Sequence, residues 1–306
     1  MNRGRPWLRA APQADGLAGR PWRTGGRVVR EDNSREDDDG SAVDDVPGEQ
    51  QIQLLQSRIA DATGRLLATA AGLTDGQARE PSALPGWSRG HVLTHLARNA
   101  DGLRNLLIWA RTGVVTPQYP SQQARDEAIE AGAGRPAAAL LADLRDSAAE
   151  FLAEAASMPG SSWPVTVHGV RGRGHPAWYT LARRLSEVEI HHVDLAAGYQ
   201  PADWPGWFAA DGLESVAGEF AQRADVPPAR LRVTGGDPGQ ASDPGQASAG
   251  REYQIGTAAA GDGGAPPPDV RISGPGWLLF AWLIGRDAGA GLTIEPAGPL
   301  PALPAW

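Results

Sequence analysis

Two short stretches hold most of the side chains that could do chemistry. Arg183 to Tyr199 reads R-R-L-S-E-V-E-I-H-H-V-D-L-A-A-G-Y, with Glu187, Glu189, His191, His192 and Asp194 close together on a predicted helix. Far upstream, G-H-V-L-T-H-L-A-R-N-A-D-G places His91 and His95 one helical turn apart. Glu187 and His191 are i, i+4 and rise on the same helical face. A carboxylate and an imidazole on one helix, met by a histidine from another, are what a three-ligand metal site in a helical bundle needs. A rival pair exists. Glu189 and His192 are i, i+3, the spacing of carboxylate-bridged di-iron bundles. His192 also falls among Leu181, Leu185, Val188 and Leu195 on a helical wheel, so periodicity favours it over His191 as the buried histidine. A di-iron set would need a second E-x-x-H and two more inward glutamates, and the sequence offers one such motif. Read from the residues, these helices carry either a mononuclear metal site or a solvated polar face.

Composition bounds the rest. The formal net charge of −8 over 306 residues argues against nonspecific nucleic-acid binding, which depends on cations neutralising phosphate. No apolar run reaches the roughly 18 residues of a membrane span. The arginine-rich N-terminus lacks the apolar stretch of a secretory signal, so a cytoplasmic protein is expected. Cysteine is absent, which excludes disulfides, thiolate ligands and a cysteine nucleophile. Any thiol chemistry must therefore use a thiol from outside. Lysine is absent too, so every fixed base is arginine.

The elements that must position these groups follow a simple plan. Residues 1–48 turn from basic to acidic without periodicity, the pattern of a disordered extension. From Glu49, apolar spacing predicts a helix to about Ala71. Ser88 is a good N-cap for a second helix running to about Thr112 and ending near Gly113, with Trp87 as a staple. Its apolar stripe is Val92, Leu96, Leu103 and Leu107. His95 lies at the edge of that stripe and His91 further toward solvent. Residues 114–134 read as a long connection with Arg125 as its one fixed cation. A third helix is expected from about Arg135 to Met158, then a short hairpin within 163–174 carrying His168. His168 and His175 read as solvated loop histidines. The ligand-bearing helix starts at Thr180, with Gly198 as its C′ residue. One more helix is expected from Trp204 to about Ala224. After Pro227 come four strand-like runs, L-R-V-T-G, Y-Q-I-G, D-V-R-I-S-G and G-L-T-I-E-P, with an apolar helix from Trp277 to Arg286 between the last two. A tandem D-P-G-Q-A-S at 237–248 reads as a loop insertion. The expected fold is α+β, a helical bundle over 49–200 followed by a small α/β domain over 201–306.

P-G-W-S-R-G-H-V-L-T-H-L-A-R-N-A-D-G together with R-R-L-S-E-V-E-I-H-H-V-D-L-A-A-G-Y closely resembles the mycothiol-dependent maleylpyruvate isomerase family of actinobacteria. The resemblance spans about residues 50–200, more loosely the remainder. It implies a DinB-like four-helix metal-binding domain and a smaller C-terminal domain. It maps the family's metal ligands onto His95, Glu187 and His191, leaving His192 as a packing or supporting histidine. It makes Arg125 a substrate- and cofactor-binding group, and a C-terminal arginine a second one: Arg286 by best match, Arg271 as the alternative.

The function so implied is mycothiol-dependent isomerisation of maleylpyruvate to fumarylpyruvate, a step of gentisate degradation. The expected cofactors are Zn²⁺ and mycothiol, with a dicarboxylate substrate held by arginine forks. A monomer or weak oligomer is expected, with no nucleic-acid or membrane partner. Two other readings remain: a mycothiol S-transferase acting on another electrophile, and a non-catalytic DinB-like metal-binding or regulatory protein.

Overall fold

The structure, a computed structural model, describes residues 46–170, 172, 174–235, 249–257 and 270–306. The predicted N-terminal extension up to residue 45 and the doubled D-P-G-Q-A-S lie outside the described residues. The chain divides into two compact units, one ending at Tyr199 and the other running from Gln200 to Trp306.

The first unit is built on four long helices: α1 (Glu49–Ala71), α3 (Arg89–Thr112), α5 (Ala137–Ser157) and α6 (Tyr179–Asp194). Helix α3 packs on α5 and α6, and α1 closes the ring by packing on the same two. The core is aliphatic: Ile59 and Leu66 of α1, Leu96 and Leu103 of α3, Leu144 and Phe151 of α5, Leu181 and Val188 of α6 are all buried. Burying such side chains contributes about 1.5–3 kcal/mol each. The ends of α3 are where the chain's capping residues place them. The Ser88 hydroxyl accepts from the His91 amide, and Gly113 takes the left-handed conformation at φ 74°. The short α2 (Asp75–Arg79) precedes α3, and a two-stranded hairpin, β1 (Thr166–His168) with β2 (Gly174–Pro176), precedes α6.

Two expectations are corrected. The connection 114–134 contains a helix, α4 (Gln122–Ala133), capped by the Ser121 hydroxyl. The prolines before it, Gly132 in its last turn and Gly134 just after it disguise it as a loop. Gly132 and, on α3, Gly90 are a packing device: a Cβ on Gly90 would sit 2.1 Å from the Ala133 carbonyl oxygen, and one on Gly132 would sit 2.4 Å from Thr94 Cγ2. Their absence lets α4 lie directly against α3. The second correction is the end of α6. It stops at Asp194, short of Gly198, and Ala196 takes the left-handed turn at φ 52°. Arg89 explains the early stop. Its Nε donates to the Leu195 carbonyl at 3.0 Å and its Nη2 to that of Ala196 at 2.9 Å, satisfying carbonyls the helix leaves open.

The second unit carries α7 (Gly206–Phe220), α8 (Gly276–Leu283) and a four-stranded sheet ordered β4 (Glu252–Ile255), β3 (Ala229–Val233), β5 (Arg271–Gly274), β6 (Thr293–Glu295). β3 and β5 are parallel and the outer pairs antiparallel. Helix α8 packs on α7 and on β3 and β5. The four strand-like runs and the apolar helix between the last two are thus all present.

Candidate metal centre

Helix α6 is the unusual element. Every residue from Tyr179 to His192 is buried. A wheel cannot rank His191 against His192 on such a helix, and both are 2% exposed. What separates them is the neighbour each one meets.

On the side facing α3, His95, Glu187 and His191 come together. One ligand atom from each can be chosen so that all lie within 4.8 Å of one another, the one such cluster among the described residues. His95 Nε2 is 3.0 Å from Glu187 Oε2, and His191 Nε2 is 3.3 Å from the same oxygen. The two imidazole rings stand perpendicular with centroids 4.7 Å apart. The alignment has a mechanical cause. Arg89, the first residue of α3, holds the carbonyls just past α6, and the Ala83 amide donates to the Asp194 carbonyl at 2.8 Å. Deeper in, the fully buried Arg184 donates from Nη1 to the Leu96 carbonyl at 2.8 Å and to Asn99 Oδ1 at 2.9 Å. These ties fix α3 against α6 above and below the cluster.

The electrostatics favour a positive charge beside Glu187. Burial pushes His95 down to about 4, against the pull of Glu187, so it is neutral. Burial also disfavours charge on His191, but Asp194 and Glu187 outweigh it and raise it to about 9. Glu187 is held well below the usual carboxylate range by the two imidazoles, despite its burial. A buried carboxylate thus meets a positive charge on His191, carried by a proton in the metal-free arrangement. His191 Nε2 is a buried atom without a hydrogen-bond partner. Its Nδ1, in contrast, is 2.8 Å from Asp194 Oδ2. An imidazole nitrogen without a hydrogen bond, beside a carboxylate oxygen and a neutral imidazole, is a donor set that could hold a metal ion, its N and O ligands being of the kind Zn²⁺ takes.

Arg125 of α4 reaches the same place. It is 5% exposed, and its Nη2 donates to His95 Nδ1 at 3.1 Å. Trp87 stands edge-on to the His95 ring at 5.5 Å. His91 points elsewhere, with Nδ1 on the Ser88 hydroxyl at 2.7 Å and Nε2 3.2 Å from exposed Glu130.

The rival pair is occupied by protein. Glu189 receives Arg65 on Oε1 and the Tyr199 hydroxyl on Oε2. His192 Nε2 is 2.8 Å from the Thr69 hydroxyl, and its ring stacks on Tyr199 at 3.8 Å. Of the hairpin histidines, exposed His168 stacks on Trp109. His175 is half-buried, 3.2 Å from Arg183 Nη1, which departs from the solvated loop role expected of it. The expected C-terminal arginines lie in the second unit. Arg286 follows α8 and donates to the Ile284 carbonyl at 2.9 Å, while Arg271 opens β5. Sequence reasoning assigned no role to Asp194, Arg184 or Arg89. Only Asp194 left a signal, an acid three residues after His191.

Comparison with known proteins bears on the fold that carries this cluster. Residues 59–196 match the family model described as the mycothiol maleylpyruvate isomerase N-terminal domain. Two solved structures resemble the chain. One, a mycothiol-dependent maleylpyruvate isomerase, is 26% identical, with a TM-score of 0.70, covering 83% of this chain and 97% of that one. The other, a histidine-to-alanine mutant of a protein of the same description, is 27% identical with a TM-score of 0.67 and the same coverage. Comparison with curated proteins finds no match. Through its helical unit this chain matches the N-terminal domain model of the mycothiol maleylpyruvate isomerases, and its fold is similar to theirs over most of its length.

Proposed function

We propose that the chain catalyses the mycothiol-dependent cis–trans isomerisation of maleylpyruvate to fumarylpyruvate in the cytoplasm, with Zn²⁺ held by His95, Glu187 and His191. The observation that carries this reading is the convergence of those three side chains around the unspent Nε2 of His191, in a chain that has no cysteine. Zn²⁺ in such a site supplies a Lewis-acidic position at which a thiol loses its proton. The reaction is addition of that thiol to the conjugated cis double bond, rotation about the resulting single bond, and elimination.

The chain's own residues do the rest. Arg125, buried beside His95, offers a guanidinium whose fork matches a substrate carboxylate. The same charge meets the negative charge that builds on the carbonyl side of the substrate. For the second carboxylate the family likeness implies a C-terminal arginine, Arg286 or Arg271. Trp87 and the buried helix faces keep water from the reacting atoms, which strengthens each of these interactions.

The test is metal analysis of the purified protein, followed by turnover of maleylpyruvate with and without mycothiol. One zinc per chain and conversion only with the thiol are expected. Metal-free protein would favour the non-catalytic binding role. Zinc with no conversion, but with mycothiol consumed by other electrophiles, would favour the S-transferase.

A further inference from the structure

Asp194 sits where helix physics disfavours it. It is the last residue of α6, at the negative end of the helix dipole, and it is 2% exposed. A carboxylate there loses hydration and gains repulsion from the terminal carbonyls, a combination that needs a compensating partner. The compensation includes His191. The i, i+3 spacing puts both side chains on one side of the helix, and His191 Nδ1 lies 2.8 Å from Asp194 Oδ2. The backbone around it is anchored through the Ala83 amide and the Arg89 guanidinium, which fixes the point from which the carboxylate reaches His191. Local rules broken by a well-anchored residue point to function.

We infer that Asp194 is a positioning residue for the metal centre: it holds the proton of His191 on Nδ1, fixes the ring plane, and presents the Nε2 lone pair toward Glu187 and His95. Unaided, an imidazole can carry its proton on either nitrogen, and half of those states offer the ion nothing. The carboxylate removes that choice and raises the basicity of the ligating nitrogen. The inference rests on the metal reading proposed above and adds to it a residue outside the ligand set.

The experiment compares wild type with Asp194→Asn and Asp194→Ala. Zinc affinity is measured by chelator competition, the visible bands of the cobalt-substituted protein are recorded, and thermal midpoints are taken with and without metal. Zinc affinity should fall about 10–100-fold, more for alanine than for asparagine, with shifted cobalt bands. A structural aspartate would lower both midpoints equally and leave affinity and bands unchanged, and that result overturns the inference. If the alanine variant does not fold, the near-isosteric asparagine still decides. Wild type that binds neither ion refutes the metal reading itself, whereas wild type and variants binding alike refute only the role of Asp194.

Discussion

The two sides of α6 carry the same kinds of side chain and come to different ends. Toward α1, Glu189 gives one oxygen to Arg65 and the other to Tyr199, and His192 is pinned between the Thr69 hydroxyl and the Tyr199 ring. Toward α3, Glu187 and His191 face a second histidine, and His191 Nε2 is left unspent. The first pair locks α1 to α6. The second keeps capacity for an ion. Residue type does not distinguish them, and i, i+4 against i, i+3 spacing does not decide between them; what the neighbouring helix supplies does.

The sharpest way to break this contrast is substitution on each side. His95→Ala or Glu187→Gln should abolish stoichiometric zinc and, with it, turnover, a loss beyond the roughly 100-fold that an outer partner costs. Glu189→Gln should leave metal content intact, read by elemental analysis of purified proteins. Equal metal loss on both sides would erase the distinction.

His175 extends the contrast to an imidazole buried beside a cation. Burial, then Arg183, lowers it to about 4. Its folded value lies below its unfolded one, so the native state resists protonation. Stability is complete above about pH 6.5 and is lost as pH falls toward 4, by up to about 3 kcal/mol. His175→Asn in metal-free protein should flatten that acid slope in urea titrations relative to wild type. An unchanged slope would mean that His175 is solvated.

The α1 side should respond in stability alone. Glu189→Gln removes the charge facing Arg65, whose side chain is 38% exposed, so the expected cost is about 1–2 kcal/mol. Tyr199→Phe keeps the stack on His192 and loses the hydrogen bond to Glu189, at least about 1 kcal/mol. Denaturation midpoints measure both.

Much of the scaffold is legible from local signals. Ser88 and Gly113 bracket α3 because capping is a matter of adjacent residues. The strand-like runs after Pro227 pair as expected because alternation and breakers are local as well. Helix α4 was hidden, since Gly132 reads as a breaker until α3 is seen pressed against it. The early end of α6 was hidden too, because the group that satisfies its carbonyls, Arg89, comes from a distant turn. At the site, the amphipathic wheel fails on a helix buried all round, and family likeness pointed to His191 where periodicity pointed to His192. The role of Asp194 needed the 2.8 Å contact, since H-x-x-D alone does not say which way the carboxylate turns.

Arg89 touches more than the two carbonyls past α6: Nη1 also reaches the Gln77 carbonyl and the Glu80 carboxylate. One guanidinium therefore staples the end of α2, the start of α3 and the end of α6. Loss of that one guanidinium would loosen together the start of α3, which carries His95, and the end of α6, which carries His191. Under the metal reading proposed above, deuterium uptake at the Leu195 and Ala196 amides is expected to rise when the ion is removed.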